Sequence, residues 1–273
     1  MAHHAGRCDS FPTAEPAFAR GEGAIRVDEV RGLPDLARVA AGLDFDRFEA
    51  LTFDCYGTLI DWEAGIWDAL RPVFHRHGAA IEREDALEMF GALEAEAERP
   101  PYRDYKTVLR GVLEGVGHRV GFAPSEAELE GFARSVGEWP AFPDSASVLK
   151  ALGQRYRLAV VSNVDDDLFA VSAGRLGVAF DWVITAEQAG SYKPSPDNFL
   201  LALRRIDLPR ERILHVAQSL YHDIVPASAL GLSTVWVNRR RGQPGAGATP
   251  AARAKPDFEV PDLRTLARAM GLM

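Results

Sequence analysis

The residues that could do chemistry in this sequence stand at the ends of short apolar runs. Asp54 closes the run Leu51-Thr52-Phe53 and is followed by Cys55-Tyr56-Gly57-Thr58, where strand patterning gives way to turn chemistry. A carboxylate there faces the crevice beyond a strand's carboxyl end, where open α/β sheets bind their ligands, so Asp54 is a candidate nucleophile. Asp at a strand-to-helix junction can equally serve as an N-cap or turn former. Ser162 and Asn163 end a second apolar run with two hydrogen-bonding side chains; the same pair could open a turn and cap the next helix. Lys193, in Tyr192-Lys193-Pro194-Ser195-Pro196, is a surface charge on one reading. On the other it is the ammonium that keeps an aspartate nucleophile ionised, with the two prolines restricting where it points. Asp223 either pairs with that lysine or orients water, or it caps the helix that follows.

The elements that must position these residues follow from patterning. Strands are expected at the Asp54 run, 157–162, 182–185, 213–217 and 234–237. Helices are expected at 144–154, from Asp165, at about 196–206, at 223–230 and at 261–271, with a loop at 242–250. Strands alternating with helices of this length imply a doubly wound parallel sheet. Between the first strand and the second, residues 63–139 show helical periodicity and no strand signal. Apolar positions Val30, Leu33, Leu36, Val39 and Leu43 predict a further helix within 26–48. The domain plan is therefore an N-terminal extension (1–47), an α/β core (48–62 and 140–273) and an inserted all-helical segment (63–139).

A formal net charge of −8 argues against a nucleic-acid or anionic-membrane partner. The basic run Arg239-Arg240-Arg241 is short and reads as a solvated loop. No apolar stretch has the length of a membrane span, and residues 1–25 lack a secretory signal's apolar segment, which points to the cytoplasm. Cys8 and Cys55 suggest no disulfide framework. Cys55 reads as a small packed side chain, Glu94 as one of many solvated charges and His215 as a core residue. His222, beside Asp223, is the histidine worth testing.

Asp54-x-Tyr56-Gly57-Thr58 after an apolar strand resembles the first motif of the haloacid dehalogenase superfamily, in particular its L-2-haloacid dehalogenase-like branch. Ser162-Asn163, the Tyr-Lys-Pro-x-Pro stretch around Lys193 and the stretch from Val216 to Asp223 match its later motifs in the same order. The resemblance covers about residues 48–270. It implies a sheet core with a helical cap inserted after the first motif, Asp54 as covalent nucleophile, and a small-molecule substrate. Lys193 and Asp223 would then be catalytic, and Tyr56, Thr58, Ser162, Asn163 and Gln218 would bind substrate. The branch commonly dimerises.

Two positions depart from the superfamily's magnesium-dependent phosphatases, which place an Asp where this chain has Gln218 and another where it has Tyr56. Gln offers one neutral oxygen to a cation that depends on carboxylate charge. Tyr, with an ordinary pKa near 10, is poorly matched to protonating an alkoxide at neutral pH; a halide leaves without a proton. Both point to metal-free attack at carbon with no cofactor. The alternatives are a magnesium-dependent phosphatase with a phosphoryl-Asp54 intermediate and a non-catalytic binding protein. The branch's cap arginine falls near Gly91 or Ala92, so this chain has none there; Arg99 and Arg103 are possible substitutes. Phe199 and Leu220 stand where the branch has Tyr and Asn. A bulkier or less charged electrophile than a short haloacid is expected.

Overall fold

Short runs of apolar residues, too few to form stable helices and bounded by turns, pair into a six-stranded sheet in the computed structural model, which describes residues 42–273 except Pro244 and Ala246. The strands are β1 (Ala50–Phe53), β2 (Arg157–Ser162), β3 (Trp182–Thr185), β4 (Ile213–Ala217), β5 (Ser233–Val237) and β6 (Phe258–Val260), in the order β3-β2-β1-β4-β5-β6. All pairings are parallel. β1 therefore lies between β2 and β4, and the chain winds outward from it in both directions. That reversal is the topological switch point of an open α/β sheet, and it leaves a crevice at the strands' carboxyl ends. β6 was not expected: three residues next to a proline carry too little periodicity to read as a strand.

Every residue of β1 and β4 is buried, as strands covered by helices on both faces must be. After β1 come α1 (Trp62–Arg76), α2 (Arg83–Ala97), α3 (Tyr105–Val120) and α4 (Glu126–Arg134), where the periodicity of 63–139 led helices to be expected. Each has a local reason to start. Asp61 and Asp104 accept from Ala64 N and Thr107 N at the beginnings of α1 and α3. Ser125 and Glu128 form a reciprocal capping box on α4. The remaining helices are α5 (Ser145–Leu152), α6 (Asp166–Leu176), α7 (Ala186–Ala189), α8 (Pro196–Ile206), α9 (Val225–Ala229) and α10 (Leu263–Ala269). The helix expected within 26–48 lies outside the described residues up to position 41. From there the chain forms only the 3-10 turn Phe45–Arg47.

Asp165 was expected to begin α6, and it stands at its N-cap without a side-chain cap bond. Its carboxylate instead accepts from Tyr105 N at 2.8 Å and Lys106 N at 3.2 Å, closing the first turn of α3 across the gap between sheet and helical segment. The arginine run is a second difference from expectation. Arg239 stacks 3.7 Å over Phe142 and pairs with Asp144, while Arg240 pairs with Glu63 and Glu84. These side chains are about nine-tenths buried, because their stems cover apolar surface while their forks find carboxylates.

Candidate active site

Phe53 pairs with Val160 of β2 and Val216 of β4, and Asp54 N continues the ladder to Val216 O at 3.1 Å. The loop beyond folds back on Cys55, whose carbonyl accepts from Leu59 N at 2.7 Å and Ile60 N at 3.0 Å. Gly57 makes that turn possible. Its φ is +92°, and a Cβ there would lie 2.9 Å from Gln218 Oε1. The turn brings Thr58 back so that its hydroxyl donates to Asp54 Oδ2 at 2.7 Å while accepting from Gln218 N at 2.9 Å. Thr58 thus fixes the orientation of the carboxylate.

Lys193, 1% exposed, extends from the loop before α8 to the same point. Its ammonium donates to Asp54 Oδ1 at 2.9 Å, Val161 O at 2.8 Å and Asp223 Oδ1 at 2.7 Å. An ammonium has three N–H bonds, so all its donors are used. Asn163 clamps the lysine's backbone from both sides, accepting from Lys193 N at 2.7 Å and donating to Lys193 O at 3.0 Å.

Asp223 is held from behind by His215. A carboxylate only accepts, so Nε2–H of His215 donates to Asp223 Oδ1 at 3.0 Å, and Nδ1 accepts from the Thr52 hydroxyl at 2.9 Å. His215 is wholly buried and is more than a packed core residue: it locks the second carboxylate. Two carboxylates share one ammonium. Burial opposes the charge on Lys193, yet Asp223 and Asp54 together hold it above its ordinary value. Burial likewise works against Asp223, but Lys193 and His215 bring its carboxyl below the usual range. For Asp54, burial outweighs Lys193 and leaves the carboxyl raised.

Asp54, Asn163, Lys193, Gln218 and Asp223 line one cavity of about 30 Å³, room for roughly two waters. Thr58 acts on it through Asp54. Tyr56 also borders it, although its hydroxyl is turned to Ser172 at 2.9 Å and its ring packs edge-on against Trp139. Ser162 is fully buried with no hydrogen-bond partner for its hydroxyl, and it is not among the lining residues.

The far wall comes from the helical segment. Glu94, expected on a solvated face, is 3% exposed and accepts from the Tyr105 hydroxyl at 2.5 Å. The readable signal was its spacing: it continues the buried face of α2 set by Leu87 and Phe90. Burial pushes its carboxyl up to about 8. Glu98, whose side chain is 6% exposed, accepts from Asn163 Nδ2 at 3.3 Å; burial and then the Glu94 charge raise its carboxyl well above the usual range. His222 lines the cavity too, with Nε2 unpartnered and 4.0 Å from Glu98, and burial lowers its imidazole to about 4. Among the described residues, no arginine lines this cavity. At Gly91 a Cβ would lie 2.3 Å from Ala248 O, so the backbone of the 242–250 loop fills the space any side chain there would need. Arg103 donates to Ala97 O in an exposed setting, and Arg99 lines a neighbouring cavity.

Magnesium fits these residues poorly. Lys193 engages an oxygen of Asp54 and of Asp223, Thr58 takes the other Asp54 oxygen, and Gln218 adds no charge. Among the described residues, no group of three or more His, Cys, Asp or Glu side chains is placed to hold a metal. No helix of the described residues is long and apolar enough to cross a membrane.

Known proteins resemble this chain in sequence and fold. The chain is similar to a 5-amino-6-(5-phospho-D-ribitylamino)uracil phosphatase of Escherichia coli (strain K12), 27% identical over 234 residues, covering 81% of this chain and 95% of the relative. It is similar to an (S)-2-haloacid dehalogenase of Xanthobacter autotrophicus, 29% identical over 196 residues, covering 70% and 75%. The crystal structure of an L-2-haloacid dehalogenase superposes with a TM-score of 0.69 at 26% identity, covering 83% of this chain and 100% of the other. The model of the haloacid dehalogenase-like hydrolases matches residues 48–231, which hold β1, the helical segment and all four motif stretches. The chain belongs to that family and is a hydrolase.

Proposed function

We propose that the protein hydrolyses a bond at an electrophilic carbon through an ester on Asp54, with no metal, and that residues 63–139 act as the cap over the site. One observation carries this reading: Lys193 Nζ lies within 2.9 Å of both Asp54 and Asp223 and occupies the carboxylates a cation would need. In the first step an Asp54 oxygen forms a bond to the carbon as the carbon–halogen bond breaks, and the halide leaves with the electron pair. Thr58 and Lys193 hold the carboxylate in line. In the second step a water attacks the ester at Asp54 Cγ. Asp223 Oδ2, buried and without a partner, accepts the water's proton and returns it to the alkoxide released when the ester opens. Water and halide exchange balance, giving an alcohol, a halide and a proton. The dehalogenase relatives support this chemistry.

The phosphatase relative favours a second reading, in which Asp54 carries a phosphoryl group and magnesium is required. Halide release from halogenated probes, unchanged in excess chelator and abolished in Asp54→Asn, supports the first reading. Magnesium-dependent phosphate release from phosphomonoesters, with no halide release, supports the second.

A further inference from the structure

The arginine run after β5 takes no part in the chemistry described so far. Arg239 and Arg240 both lie about nine-tenths buried against carboxylates. Arg239 also reaches the turn that follows Asp54: its Nε and Nη2 donate to Thr58 O at 3.0 and 2.8 Å. Nη2 donates as well to Asp144 Oδ1 at 3.0 Å, and the guanidinium lies 3.7 Å over the Phe142 ring. Asp144 is itself anchored, since its Oδ2 accepts from Leu263 N at 2.9 Å and Arg264 N at 3.3 Å where α10 begins. Thr58 is wholly buried, so its carbonyl must be paired within the protein. The hydroxyl of the same residue donates to Asp54 Oδ2 and accepts from Gln218 N, and Gln218 O accepts from Trp236 Nε1 of β5 at 2.8 Å. Thr58 is thus held at both its polar groups by contacts that run back to β5 and the chain just beyond it.

We infer that Arg239 is a positioning residue for the nucleophile: by gripping Thr58 O it fixes the turn that aims the Thr58 hydroxyl at Asp54 Oδ2. The inference rests on Asp54 being the nucleophile, and it holds whether the atom attacked is carbon or phosphorus. Arginine suits the place because its planar fork sets two N–H groups on one carbonyl, meets a carboxylate and lies flat on an aromatic ring. A lysine ammonium has neither the fork nor the plane. With the guanidinium removed, the buried Thr58 carbonyl loses its donors and the turn shifts towards whatever donor or water it can reach. The hydroxyl is then no longer held against Asp54, and the carboxylate loses the alignment that in-line attack needs.

The test compares Arg239→Met and Arg239→Lys with Arg240→Met, which removes the neighbouring arginine and its pairs with Glu63 and Glu84. Two readouts are taken on the full chain. One is turnover, as halide from 2-chloropropionate and as phosphate from p-nitrophenyl phosphate with magnesium. The other is the carboxyl-carbon NMR titration of Asp54 in aspartate-labelled protein, its signal assigned by loss in Asp54→Asn. In both Arg239 variants kcat is expected to fall about 10–100-fold with KM within about twofold. The Asp54 midpoint is expected to rise by about one unit as the carboxylate loses its hydroxyl donor. Arg240→Met is expected to leave both within about twofold and a few tenths of a unit. Should Arg239→Met fail to fold in thermal denaturation, Arg239→Lys, which keeps a cation opposite Asp144, carries the same two readings. Equal effects in Arg240→Met overturn the inference, because they mark general scaffolding. A shift confined to Arg239→Met, with Arg239→Lys at wild-type level, also overturns it, because charge at a distance then accounts for the effect. Unmoved readings in a folded Arg239 variant overturn it while leaving Asp54 as nucleophile. A wild type that releases neither halide nor phosphate counts against Asp54 as nucleophile on these probes, and the titration alone then decides whether Arg239 governs that carboxylate.

Discussion

Replacing Lys193 by Met tests the electrostatic centre of the site most severely, because the substitution keeps most of the stem and removes one charge shared by two carboxylates. In the native protein the ammonium is 1% exposed and makes three hydrogen bonds, two of them to anions. Removing one member of a buried ionic cluster leaves the others uncompensated and costs about 3–5 kcal/mol. The loss depends on pH with a definite sign. Without Lys193, burial and mutual repulsion raise the carboxyls of Asp54 and Asp223, so the folded variant binds more protons than the unfolded chain and its stability falls as pH rises above the ordinary carboxylate range near 4. Denaturant unfolding of wild type and variant at about pH 5 and about pH 8 measures this. The destabilisation is expected to be larger at the higher pH, and halide release is expected to disappear as Asp54 loses the cation that keeps it ionised. A cost below about 1 kcal/mol, equal at both pH values, refutes the shared-ammonium account.

Other perturbations follow the same bookkeeping of partners. His215→Phe removes the donor that fixes Asp223, and kcat is expected to fall about 10–100-fold with KM little changed; steady-state kinetics across pH would read it. Glu94→Gln keeps an acceptor for Tyr105 but removes a carboxyl whose folded pKa is raised to about 8. Such a group withdraws stability as pH climbs from its unfolded value to its folded one, so the variant is expected to gain stability progressively between about pH 4 and pH 8 and little below. Denaturation midpoints over that range check it. Asp165→Ala uncovers the first amides of α3 and is expected to cost about 0.5–2 kcal/mol, read by unfolding and by faster proteolysis of the helical segment.

Much of this site is legible because its parts sit at strand ends. Short apolar runs closed by Asp54, by Ser162-Asn163 and before Gln218 are local signals, and their alternation with helices fixes a parallel sheet in which those ends converge. Lys193 was readable from the chemistry an aspartate nucleophile needs. The far wall was not. The spacing of Glu94 from Leu87 and Phe90 puts it on the buried face of α2, but only tertiary packing decides that this face and Glu98 meet the cavity. The His215 link to Asp223 joins a strand interior to a turn eight residues later, a contact that periodicity does not encode. Arg241 is exposed as expected, but Arg239 and Arg240 are not solvated, for the same reason: their carboxylate partners Glu63, Glu84 and Asp144 are remote in sequence.

The central claim is that Asp54 forms and releases a covalent ester. A single turnover of a halogenated probe in water enriched in heavy oxygen, with protein in excess, tests it directly by peptide mass. The account predicts one heavy oxygen in the Asp54 carboxylate and ordinary oxygen in the product alcohol. Heavy oxygen in the alcohol with an unlabelled Asp54 would contradict it.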